Sequence, residues 1–240
     1  KNIKLILIIS TIFIISLWTF VGYNIFNMVK NDWKLDKEFE EIEEIIENYG
    51  LWDQSLENKL NTYVSNNDYL VIEKASKNYL KDFINESKKL YDVFNDKKAT
   101  ELITIENFII DGKNFTKSLN YVNETYEKLI DIKKSITSMH ADYKIKSYLE
   151  KKVNAYYLDY YLDFVLSVND EGLAIINDSI EDYVEFLEEE KKLFNFLARN
   201  QNSWYIENNL IYFNNIFLLH EYNDLFDDLN DFNYKNTLSL

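Results

Sequence analysis

The chain reads as mainly α-helical: an N-terminal transmembrane helix, then an antiparallel helical bundle of long amphipathic helices with a small β-hairpin near the C-terminus. Three observations predict this. No proline and only four glycines occur in 240 residues, so the punctuation of turn-rich β folds is missing. Apolar residues recur every three or four positions along most of the sequence. Leu5 to Val29 runs without a charge and is dense in Ile, Leu, Phe and Val.

That apolar run, within a 1–30 anchor, comes first. At about 1.5 Å per residue it is long enough to cross a hydrocarbon layer of about 30 Å with some tilt. Ile3 to Ile15 is apolar nearly all round, unlike a core helix with one apolar stripe. No small-x-small cleavage site follows, and the first alanine is Ala75, so an uncleaved anchor is expected. Lys1 and Lys4 on one side nearly balance Lys30, Lys34 and Lys37 on the other, which leaves orientation to a different argument. An apolar segment so close to the amino terminus acts as an export signal, so residues 31–240 are expected outside the cytoplasm.

Those residues form one acidic helical domain, since no Gly/Ser linker, Pro-rich stretch or fixed repeat divides them. Leu35, Phe39, Ile42, Ile45 or Ile46, and Tyr49 give a first amphipathic helix ended by Gly50. A short helix carries Trp52, Leu56, Leu60, Tyr63 and Val64 up to the polar break Ser65-Asn66-Asn67-Asp68. Ile72, Ser76, Tyr79, Phe83, Ser87, Leu90 and Phe94 form the next stripe, closed by Asn95-Asp96. A heptad seam then runs through Ile105, Phe108, Gly112, Phe115, Leu119, Val122, Tyr126, Leu129, Lys133 and Ile136. Thr100 is placed to cap it, and Gly112 to allow a close approach or a kink.

A further helix is expected from about Asp142 to Val168, broken by Asn169-Asp170-Glu171-Gly172. A second seam follows through Leu173, Ile176, Ile180, Tyr183, Leu187, Glu190, Phe194 and Leu197. Trp204 to Glu207 and Leu210 to Phe213 are β-prone and flank Asn208-Asn209, a pair that tolerates a type I′ turn, so a hairpin is expected at about 203–213. A last helix starts near Ile216.

Charge and chemistry narrow the function. With 26 basic against 41 acidic side chains the net charge is −15, a field that repels nucleic acid and anionic lipid head groups. The absence of cysteine removes disulfides, thiolate nucleophiles and zinc-thiolate sites. Only His140 and His220 are present, and His220-Glu221 lacks the second imidazole of a zincin helix because residue 224 is Asp. Asp224, Asp227, Asp228 and Asp231 lack the register and glycine of a calcium loop. Glu188-Glu189-Glu190 reads as a solvated helix face. No phosphate loop, dinucleotide fingerprint or nucleophile elbow occurs. No catalytic residue, cofactor or metal is therefore assigned.

The unusual surface is aromatic. Tyr156, Tyr157, Tyr160 and Tyr161 crowd one stretch, and tyrosine is enriched where proteins meet, so these four are a candidate partner-binding face. The expectation is a membrane-anchored, non-enzymatic interaction or structural protein at the cell surface with a protein partner. A ligand-binding or sensory module working with a separate membrane partner is the alternative.

Overall fold

The computed structural model describes residues 32–167 and 170–238, with the side chains of 32–166 and 173–229. The predicted span Leu5–Val29 lies outside the described residues; among those described, no helix is long and apolar enough to cross a membrane. The fold is a mainly helical bundle with a small antiparallel hairpin. Its elements are α1 (Asp32–Tyr49), α2 (Gln54–Asn61), α3 (Asn67–Phe94), α4 (Lys98–Leu102), α5 (Ile105–Asp111), α6 (Thr116–Met139), α7 (Asp142–Ser147), α8 (Ala155–Ser167), α9 (Asp170–Arg199), β1 (Trp204–Glu207), β2 (Leu210–Phe213) and α10 (Ile216–Leu238). The described residues fall into two compact units, one of 32–91 with 132–177 and one of 92–131 with 178–238, and the division lies within α3, α6 and α9.

In the first unit, α1 buries Leu35, Phe39, Ile42 and Ile46, the stripe its sequence period requires. Gly50 ends it at φ +86°, donating its N–H to the Ile46 carbonyl at 2.9 Å. Asp53 caps α2 by accepting from the Ser55 N–H, and Leu56 and Leu60 turn inward. Tyr63 and Val64 lie beyond the end of α2 and are exposed. Ile72, Ala75, Tyr79 and Phe83 of α3 share this core with Ile136, Ile145, Tyr161 and Phe164, and Phe39 stacks on Phe164 with ring centres 4.7 Å apart.

The single helix expected from Asp142 to Val168 is two, α7 and α8, joined by 148–154. Side-chain bonds to α3 hold that connection open. Tyr148 donates to Asp82 Oδ2 at 2.7 Å, and Lys151 pairs with Asp68 at 2.8 Å. Asn154 then accepts from the Tyr157 N–H and starts α8. Three of the four residues expected to break the next helix, Asp170, Glu171 and Gly172, lie within α9.

In the second unit the long seam is interrupted. Thr104, rather than Thr100, caps α5 by accepting from Asn107. Gly112 terminates that helix at φ +75°, and Phe115 adopts φ +49°, a conformation costly for a bulky side chain. Two contacts hold it there. Phe115 is closed from solvent between Phe108 and Phe194, and Asp111 caps the new helix by accepting from the N–H groups of Lys117 and Ser118.

Beyond the break, α6 buries Ser118, Val122, Thr125, Leu129, Ile132, Ile136 and Met139. Val122, Leu129 and Ile136 belong to the predicted seam. The seam's alternate positions are not buried as predicted: Leu119, Tyr126 and Lys133 are half-buried, and their amino-terminal neighbours Ser118, Thr125 and Ile132 take the inner face. The α9 seam is kept at Ile176, Ile180, Leu187, Glu190, Phe194 and Leu197, which are buried, whereas Leu173 and Tyr183 are half-buried.

The hairpin forms in the predicted register, Trp204 opposite Phe213 and Tyr205 opposite Tyr212. Asn208 and Asn209 both take positive φ, +51° and +58°, as a type I′ turn requires. Trp204 is buried and donates its indole N–H to the Leu197 carbonyl at 2.8 Å, while Phe213 lies against Phe196 and Tyr222. Lys113 bridges to the carbonyls of Gln201 and Trp204. A two-stranded ribbon needs such docking to persist in water.

Candidate functional site

The tyrosine stretch divides by helical geometry. Tyr160 and Tyr161 are buried, while Tyr156 is 45% exposed and Tyr157 is half-buried. Tyr161 donates to the Ile145 carbonyl at 2.8 Å and belongs to the core. Tyr156 and Tyr160, four residues apart, lie on one face of α8; Asp32 and Asp36, also four apart, lie on one face of α1. The faces meet as two rungs: Tyr160 donates to Asp36 at 2.6 Å, and Tyr156 to Asp32 at 3.3 Å.

Tyr69, in the first turn of α3, gives Asp32 a second phenolic donor. Tyr157 packs edge-on against Tyr69 at 4.8 Å and against Tyr156 at 5.3 Å. Burial first, then the neighbouring carboxylates, pushes the phenols of Tyr69 and Tyr160 upward, so both remain donors. Burial likewise raises the Asp36 carboxyl, against the hydrogen bond from Tyr160, which lowers it. The result is an acidic, aromatic patch at the start of α1. Sequence reasoning missed Asp32, Asp36 and Tyr69; the matched four-residue spacings were the available signal, but the partners are 124 residues apart.

A second constellation lies deeper in the same unit. Lys77, with no exposed surface, pairs with Glu38 and with Glu73 at 2.8 Å, and donates to the carbonyls of Thr62 at 2.7 Å and Lys59 at 3.2 Å. Glu73 in turn accepts the N–H groups of Val64 and Ser65. Glu38 also pairs with Lys59 at 2.7 Å. All these groups are satisfied within the fold, and their effect is to clamp 62–65 onto α3.

His140 sits in the turn after α6. Its Nδ1 lies 2.6 Å from the Ile136 carbonyl, which only accepts, so Nδ1 carries the proton and Nε2 accepts from the Tyr79 hydroxyl at 2.8 Å. Burial lowers its pKa and keeps it neutral. His220 is exposed on α10. Among the described residues no three His, Asp or Glu side chains converge as a metal set.

In the second unit, Glu190 overturns the reading of Glu188-Glu189-Glu190 as a solvated face. It has no exposed surface, and neither carboxyl oxygen has a hydrogen-bond partner. Burial raises its pKa to about 9. It is one position in the α9 seam, and the period that buries Leu187 and Phe194 buries it too. Nearby, Tyr121 donates to Asp96 at 2.9 Å, and burial raises the phenols of Tyr121 and Tyr183.

Comparison of the chain with protein-family models, curated proteins and solved structures finds no match.

Proposed function

We propose that the chain is a membrane-anchored, non-enzymatic interaction protein exposed at the cell surface, and that it meets a protein partner through the face formed by Tyr156, Tyr157 and Tyr69 around Asp32. The observation that carries this is the patch itself. Asp32 is two positions past Lys30, so an anchor over Leu5–Val29 sets the patch beside the bilayer. Tyrosines offer large contact area at low entropic cost, and the carboxylates behind them favour a partner segment bearing lysine or arginine. The net charge of −15 acts in the same direction over longer range.

Two experiments test the two halves of the reading. Full-length chain stays with membranes through a carbonate wash; its recovery in the supernatant contradicts the anchor. A photo-crosslinking residue at position 157, in native membranes, yields a discrete protein adduct, whereas one at Tyr143, exposed in the same unit, does not. No adduct at 157, or the same adducts from both positions, contradicts the face.

A further inference from the structure

Between α2 and α3 runs an open groove of about 410 Å³. Its floor is apolar, with Leu56, Leu60 and Ile84 all buried. Trp52 lines it from the turn before α2, with its ring 4.4 Å from that of Tyr91. The indole N–H is closed from water and has no acceptor, although leaving such a donor unsatisfied costs about 1–3 kcal/mol.

Lys81 and Lys88 line the same groove, seven residues and about two turns apart on α3, and neither makes an ion pair among the described residues. The rim also carries two carboxylates, each hydrogen-bonded within its own segment. Asp53 caps α2 through Ser55, and Glu57 accepts from Gln54. The ammonium of Lys81 is half-buried, and burial followed by the nearby Lys77 charge lowers its pKa, the direction that an arriving anion reverses. The groove thus sets two lysine side chains beside the partly exposed Trp52 ring, charge next to an apolar surface.

We propose that this groove binds a small amphipathic carboxylate, its anion held by Lys81 with Lys88 at the mouth and its apolar body against the Trp52 ring and Ile84. No covalent step is involved. This site is separate from the tyrosine face and stands or falls independently of the tethered-interaction reading.

The test is calorimetric titration of the full chain, in neutral-detergent micelles, with phenylacetate, phenylethanol and acetate. Phenylacetate binds saturably at one site, and phenylethanol, lacking the anion, and acetate, lacking the apolar body, bind at least about tenfold more weakly. Lys81→Gln weakens phenylacetate by about tenfold, Lys81→Arg keeps most of the affinity, and Lys89→Gln, outside the groove, changes nothing. Equal binding of phenylacetate and phenylethanol, or phenylacetate binding unaffected by Lys81→Gln, overturns the proposal. Should Lys81→Gln fail to fold, the Trp52 indole N–H resonance of the unaltered chain decides. Saturable movement on adding phenylacetate supports the site, because the Trp52 ring lines the groove, and no movement overturns it.

Discussion

Lys77 in one unit and Glu190 in the other, both fully buried ionisable side chains, are treated in opposite ways. Lys77 is surrounded by two carboxylates and two carbonyls, and its counterions are themselves held by backbone N–H groups or Lys59. Glu190 has no partner. A buried ion is tolerated either by pairing or by losing its charge, because an isolated ion in a low-dielectric interior costs far more than moving its pKa. The first unit uses pairing; the second uses protonation. Pairing fixes geometry, whereas protonation ties the stability of the seam to the proton concentration. Glu43 lies between the two cases, with one oxygen unpartnered and its pKa raised to about 7, chiefly by burial and then by Glu47, Glu40 and Glu44.

The sharpest way to break the first arrangement is Lys77→Met. It strands Glu38 and Glu73 without their shared counterion, and a loss of about 3–5 kcal/mol is expected in urea unfolding of the full chain in micelles. Lys59→Met, at the partly exposed rim of the network, costs less, since solvent can replace part of what it supplies. Equal losses at both positions would mean that burial is not what sets the worth of the pair.

The second arrangement depends on the α6 face that lies inward. Leu129→Ala, at a wholly buried position, loses about 2–5 kcal/mol, and half-buried Leu119→Ala loses distinctly less. The reverse order would return α6 to the register its apolar residues suggest and remove Thr125 from the inner face. Smaller again is Glu190→Leu. At pH 5 it adds about 1–3 kcal/mol, the cost of leaving a buried acceptor unsatisfied. Smallest is Asn209→Gly, where glycine relieves the positive φ of the turn and changes the midpoint by a few tenths of a kcal/mol at most. Asn209→Pro removes the turn, since proline holds φ near −65°.

Elements whose signals were local were legible in the sequence. Asn208-Asn209 between two aromatic runs announced the hairpin and its register, and the unbroken three-four spacing from Leu173 to Leu197 announced the inner face of α9. The earlier seam misled because its spacing continues across Gly112 to Phe115, where the chain leaves the helix. In α6, counting apolar residues favoured Leu119 and Tyr126 over Ser118 and Thr125. The Ser118 hydroxyl is satisfied by Asp111 and Asn107, and Thr125 hydrogen-bonds Tyr121, so both polar groups go inward without loss. The tyrosine patch was half legible: its residue types stood out, but the partners that draw Tyr160 inward and leave Tyr156 at the surface come from α1. Lys77 offered only its four-residue spacing from Glu73, a spacing that more often marks an exposed pair.

The measurement closest to the central claim compares wild-type chain with Glu190→Leu in urea unfolding at several pH values. Between the ordinary carboxylate value near 4.5 and the folded value of about 9, the folded chain holds a proton that the unfolded chain releases. Wild-type stability therefore falls, relative to the variant, as pH rises through that window, and the difference levels off above it. The account predicts a gain for Glu190→Leu that is smallest at pH 5 and grows steadily toward pH 9. A gain of constant size at every pH, or a loss, would show that Glu190 is paired or hydrated in the folded chain and would contradict the account.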